Sequence, residues 1–128
     1  MQDVPFAYVL GFSLRFLDAV HHSHPQAPAL LRKLGTFIPD DGLIRVTGGA
    51  EGEMLRPLDM APYPDTPVRA LFTDDVIAAE LERLASLQQQ DGGWIVDFAS
   101  ASPAGSLDWR GYATVRAIDT LRRNAKVT

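Results

Sequence analysis

Two stretches fifty residues apart, ALLRKLGTFIPDDGLI from Ala29 and AELERLASLQQQDGGWI from Ala79, each run from a helical pattern into an Asp-Gly stop. In this alignment Leu34 falls on Leu84, Phe37 on Leu87, Asp41 on Asp91 and Gly42 on Gly92. A looser echo sets Leu58-Asp59-Met60-Ala61-Pro62 beside Val96-Asp97-Phe98-Ala99-Ser100. The pattern implies duplicated helix-turn-helix units, which bury their apolar faces only by stacking on one another.

Four helices follow from apolar spacing. The first, about residues 4–20, is apolar nearly all round (Phe6, Tyr8, Val9, Leu10, Phe12, Leu14, Phe16, Leu17), so the sequence predicts a central helix surrounded by others. The second, about 26–37, carries Leu30, Leu31, Leu34 and Phe37 on one stripe with Arg32 and Lys33 opposite. A polar turn, HHSHP, joins them and ends in a proline suited to a helix start. The third begins at a Thr73 or Asp74 cap, repeats Val76, Ile77, Leu81, Leu84 and Leu87, and must stop by Gly92. The fourth, about 107–124, turns Trp109, Tyr112, Ala113, Ile118 and Leu121 toward the core, with Asp108 as a candidate cap.

Between the hairpins, residues 39–67 hold five of the nine prolines and four of the ten glycines, which forbids a long helix and leaves room for one short strand at 43–47. The segment also carries Leu43, Ile44, Val46, Met54, Leu55, Leu58, Met60 and Tyr63, a density of apolar side chains that disordered linkers avoid. An ordered loop is therefore expected. The resulting organisation is a single all-α domain over 1–128: a helical hairpin at 4–38, one long ordered loop at 39–72 and a second hairpin at 73–124.

The other constraints are mainly exclusions. The apolar run at 4–20 contains Ser13, Arg15 and Asp18, lacks a basic start and a small-residue cleavage site, and so reads as neither a spanning helix nor a secretory signal. A net charge of -4 spread over both halves offers no basic face to nucleic acid. The absence of cysteine rules out disulfides and thiolate metal sites and fits a cytoplasmic protein.

Leu84-x3-Gln88-x2-Asp91-Gly92-Gly93-Trp94 resembles the Gln-Trp repeat of the terpenoid cyclase and protein prenyltransferase superfamily. Leu14-Arg15-Phe16-Leu17-Asp18, Gly52-Glu53-Met54-Leu55-Arg56-Pro57-Leu58-Asp59 and Trp109-Arg110-Gly111-Tyr112 are similar, in that order, to the C-terminal part of actinobacterial-type prenyltransferase-like proteins. The resemblance implies antiparallel helical hairpins forming a partial α/α toroid, with Gln88, Asp91, Gly92 and Trp94 as a structural clamp between helices. The superfamily's catalytic sets are incomplete. No DxDD stands here, Asp40-Asp41 and Asp74-Asp75 lack the further acid of DDxxD, and without cysteine the prenyltransferase zinc site cannot be built. No cofactor or metal is expected.

Glu53, Arg56 and Asp59 in the loop, with Asp97, Asp108, Arg110 and Tyr112 near the second turn, are the candidate ligand-binding residues. Their plainer role is to hold the loop and helix ends by ion pairs and caps. Arg15 and Asp18 are expected to pair with each other or to line a polar spot in the barrel centre. His21, His22 and His24 sit in what reads as an extended turn, where neighbouring rings diverge, and a solvated loop suits them better than a metal. Tyr8, Phe12, Phe16, Trp109 and Tyr112 either fill the core or line an aromatic pocket for an isoprenoid.

The expected function is a prenyltransferase- or cyclase-like domain, catalytically incomplete, that binds an apolar small molecule of isoprenoid-like or polycyclic type. Two alternatives stand beside it. One is the C-terminal part of an enzyme whose catalytic acids lie elsewhere. The other is an assembly module, in which a homo-oligomer or a second chain completes the toroid.

Overall fold

A computed structural model of the chain describes residues 7–46, 53–95 and 103–124, with side chains from residue 109 onward in the last stretch. The protein is mostly helical. In chain order it has α1 (Ala7–Val20), α2 (Ala27–Gly35), β1 (Ile44–Arg45), β2 (Met54–Leu55), α3 (Pro57–Met60), a 3-10 turn (Pro67–Leu71), α4 (Asp74–Ser86) and α5 (Pro103–Arg123). It divides into two compact units, Met1–Ile77 and Ala78–Thr128.

In the first unit α1 packs on α2, on the 3-10 turn and on α3 and β2. Its buried side is Ala7, Leu10, Gly11 and Leu14, which meets a core containing Ala27, Leu31, Ile44, Met60, Ala61 and Val68. The turn after α1 closes by hydrogen bonds from the Ser23 and His24 amides to the Val20 carbonyl, at 2.9 and 3.1 Å. Pro28 then falls in the first turn of α2, where its missing N–H leaves no intrahelical bond unmade. Within the long loop β1 and β2 pair antiparallel, Ile44 opposite Leu55 and Arg45 opposite Met54.

Helix α4 starts at Thr73, whose hydroxyl accepts the Val76 amide at 3.2 Å; Ile77 and Leu81 are its buried residues. Asp74 and Asp75 occupy its first turn, where negative charge suits the helix dipole.

The fifty-residue repeat reappears bond by bond. Phe37 N–H bonds to the Leu34 carbonyl as Leu87 N–H does to Leu84, and Ile38 to Gly35 as Gln88 to Ala85. Gly42 N–H bonds to Pro39 and Gly92 N–H to Gln89, at 2.8 and 2.9 Å. Asp41 Oδ1 accepts the Leu43 amide and Asp91 Oδ1 the Gly93 amide, both at 3.0 Å. Gly42 and Gly92 sit at φ 76° and 89°, the left-handed region that a side chain resists. Ile44 and Trp94, which follow at equivalent places, are both buried.

Four expectations need correction. Helix α1 is not enclosed all round: Tyr8, Val9, Phe12 and Phe16 are exposed, because the elements packed on it cover only the Ala7–Leu10–Leu14 side. Helix α5 begins at Pro103, so Asp108 lies inside it and is not its cap. Leu121 is buried as predicted, together with Ala117 and Thr120, but Trp109, Tyr112 and Ile118 are exposed instead of turned to the core. Leu30 on α2 and Phe37 beyond its end are also exposed, and of the predicted stripe it is Leu31 that enters the core, beside Ala27.

Candidate functional site

The loop candidates converge on one side of α1. Glu53 accepts a hydrogen bond from the Tyr8 hydroxyl, and that bond above all holds the phenol's pKa above its usual value, with burial and the charges of Glu53 and Asp59 adding to it. Asp59 Oδ2 accepts the Arg56 amide at 2.8 Å, closing the first turn of α3. The Arg56 guanidinium lies 3.6 Å from the Met54 sulfur.

Arg15 and Asp18 do not pair with each other. Arg15 donates to the Asp59 carbonyl at 2.8 Å, and Asp18 Oδ1 accepts the Val68 amide at 2.9 Å. Both side chains therefore reach from α1 to a segment more than forty residues away and tie it down, which the spacing of three on one helix does not reveal. Arg69 completes the strap by donating to the Ala61 carbonyl at 3.1 and 2.9 Å. Burial lowers its pKa, and Asp65 partly opposes this.

The second cluster lies in the other unit, at the end of α4. Gln88 Nε2 donates to the Gly92 carbonyl at 2.9 Å. Trp94 is buried, and its indole N–H donates to the Leu84 carbonyl at 2.7 Å; its backbone amide donates to Thr114 Oγ1 at 2.9 Å. Thr114 is the residue that sequence reasoning missed. A threonine inside a helix usually turns its hydroxyl back to the preceding turn, and this one does so toward the Arg110 carbonyl at 2.8 Å, yet it also accepts from another segment. Arg110 forms an ion pair with Asp91. Tyr112 is exposed and meets Trp109 edge to face, ring centroids 5.7 Å apart. Asp97 lies outside the described residues, as does the side chain of Asp108.

The Asp91 carboxyl is held below its ordinary 3.8, first by the Gly93 amide; desolvation opposes this, and the charge and hydrogen bond of Arg110 add to the lowering. A depressed folded-state pKa adds stability above the unfolded value, and that stability is lost as pH falls through the folded value. Between about pH 5 and about pH 3 the urea midpoint of the wild type is expected to fall further than that of Asp91→Asn. Equal falls in the two proteins would disprove the linkage.

Two hollows open on the surface. A cleft of about 340 Å³ in the first unit is bordered by Thr36, Pro39, Asp40, Gly42, Phe72 and Thr73. A wider hollow of about 520 Å³ on α5 is lined by Val115, Ile118, Asp119, Arg122 and Arg123. His21 and His22, expected to diverge, lie with ring centroids 3.8 Å apart, because the chain continues from α1 as a turn instead of extending. Among the described residues no group of three or more His, Asp or Glu is placed to hold a metal ion. Nor, among them, is any buried side-chain nitrogen or oxygen without a hydrogen bond. No described helix is long and apolar enough to cross a membrane. Compared with protein-family models, curated proteins and solved structures, the chain matches none.

Proposed function

We propose that this chain is a terpenoid-cyclase- and prenyltransferase-like helical repeat domain without a complete catalytic motif, which binds an apolar, isoprenoid-like or polycyclic molecule on the open side of α5. The observation that carries the reading is the outward-facing run of Tyr112, Val115 and Ile118 on α5, the last two lining its hollow beside Asp119, Arg122 and Arg123, with Trp109 against Tyr112. Ring faces and branched aliphatic side chains suit an apolar ligand. The repeated Asp-Gly turns and the buried Trp94 support the toroid resemblance. A cytoplasmic setting accords with the lack of cysteine.

The test is calorimetric titration with farnesol and with cholesterol. Tyr112→Ala and Ile118→Ser are expected to weaken the better of the two by roughly tenfold or more, while melting temperature changes little because both side chains are exposed. Undetectable binding of either probe, or equal affinity in the variants, would overturn the reading.

A second reading, that the chain is the C-terminal part of a cyclase or prenyltransferase-type enzyme, is favoured by the same open face, since a further repeat would pack there. On that reading α5 gains protection from hydrogen exchange only when a segment bearing more repeats is joined to the chain.

A further inference from the structure

The exposed face of α1 has the spacing of a helix-helix seam. Val9, Phe12, Phe16 and Ala19 follow one another at intervals of three, four and three residues, the a/d pattern that inserts knobs into the holes of a facing helix. Val9, Phe12 and Phe16 are 61%, 71% and 61% exposed, and Tyr8 beside them is 43% exposed. Single apolar residues on a surface are ordinary, but a contiguous stripe of this kind marks an interface. We propose that two copies of this chain pair through α1, antiparallel about a twofold axis.

Three observations favour a second copy as the occupant. The first is complementarity of size. In an antiparallel pair the a position of one helix meets the d position of the other, so Val9 faces Ala19 of the second copy and Phe12 faces its Phe16. Each layer recurs by symmetry, and the two phenylalanine layers lie at the centre.

The second is charge. The charged side chains interleaved with the seam, Arg15 and Asp18, are bound to the Asp59 carbonyl and the Val68 amide of their own chain, and Glu53 at the edge is bound to Tyr8. A copy of the same face therefore brings an apolar stripe to an apolar stripe, and antiparallel helices also oppose their dipoles.

The third is area. Aromatic side chains of ordinary size, exposed to this extent, give roughly 400 Å² per copy and about 900 Å² for the pair with Val9 and the flanking atoms included. That is close to the lower limit of specific interfaces, near 1,000 Å², so the dimer is expected to be concentration-dependent. A small apolar ligand is a poorer occupant, because a convex helix stripe cannot enclose it.

Sedimentation equilibrium of the full chain over the micromolar range tests the proposal. Wild-type protein is expected to approach twice the chain mass of 14.0 kDa, while Phe12→Glu stays monomeric with an unchanged circular-dichroism melt. Since the chain has no cysteine, Val9→Cys and Ala19→Cys add a test of direction. Mixed and oxidised, the two variants are expected to form a disulfide between them, and neither forms one alone, because in the antiparallel pair like positions lie about 15 Å apart along the helix. A monomer at every concentration, a dimer that survives Phe12→Glu, or crosslinks of Val9→Cys with itself would each overturn the proposal. Binding of an apolar small molecule to a monomer, abolished by Phe12→Glu, would place a different occupant on the seam and overturn it as well. None of these readouts involves α5, so they succeed or fail independently of ligand binding there.

Discussion

Replacing Trp94 by alanine is expected to lower the unfolding free energy by about 3–5 kcal/mol, the largest loss of any single substitution near the second turn. The indole is 4% exposed, so its removal forfeits most of the apolar area of a large side chain and leaves a cavity that the surrounding helix ends cannot readily fill. It also deletes the N–H that gives the Leu84 carbonyl, at 2.7 Å, its second donor beside the Leu87 amide where α4 ends. Trp94→Phe separates the two contributions. It keeps much of the ring and loses the donor, and is expected to cost less than the alanine variant by the larger, packing share. Urea unfolding followed by far-ultraviolet circular dichroism measures both, and hydrogen exchange of the α4 and α5 amides localises the loss. An alanine variant within about 1 kcal/mol of wild type would mean that Trp94 fastens nothing.

The parts of this fold legible in the sequence are those fixed by local chemistry. An Asp followed by Gly at a helix end specifies its own turn: the carboxylate takes the amide two residues on, and the glycine accepts the left-handed backbone. Asp41-Gly42 and Asp91-Gly92 therefore announced their structure from residue type alone, and the alignment of the two stretches extends to individual hydrogen bonds. The Thr73 start of α4 was readable for the same reason.

What was not legible depends on distant partners. Arg15 and Asp18 stand three apart on one helix, and that spacing favours a pair between them, but each finds its partner on the 53–72 segment. Nothing in the spacing records such a contact. The all-round apolar character of α1 was likewise correctly seen and wrongly assigned. Hydropathy identifies the side chains that gain by leaving water, but not which element supplies the cover. Helix α1 carries two seams, Ala7–Leu10–Leu14 turned inward and Val9–Phe12–Phe16 turned outward. The α5 face was read correctly at Leu121 and went astray elsewhere for a related reason, since Thr120 is buried while Trp109 and Tyr112 remain outside.

Gly42→Ala is expected to cost about 2–5 kcal/mol, and Gly92→Ala only about 1–2, although both glycines occupy the same turn. The backbone term is shared, since both have positive φ, 76° and 89°. The difference is steric. A Cβ on Gly42 would stand 2.7 Å from Pro57 Cγ and 3.3 Å from Val76 Cγ1, and the proline ring at the start of α3 has no rotamer by which to withdraw. On Gly92 the nearest neighbour would be the Gln88 amide nitrogen at 3.9 Å, an ordinary contact. Comparing the two variants by urea unfolding thus measures how tightly α3 closes over the first turn, with the second turn as internal control. Equal losses would show that α3 yields to an added methyl group, and the long loop would then be loosely seated on the helices beneath it. A larger loss at Gly42 means that the loop is part of the core of the first unit, as the burial of Pro57, Leu58 and Met60 requires.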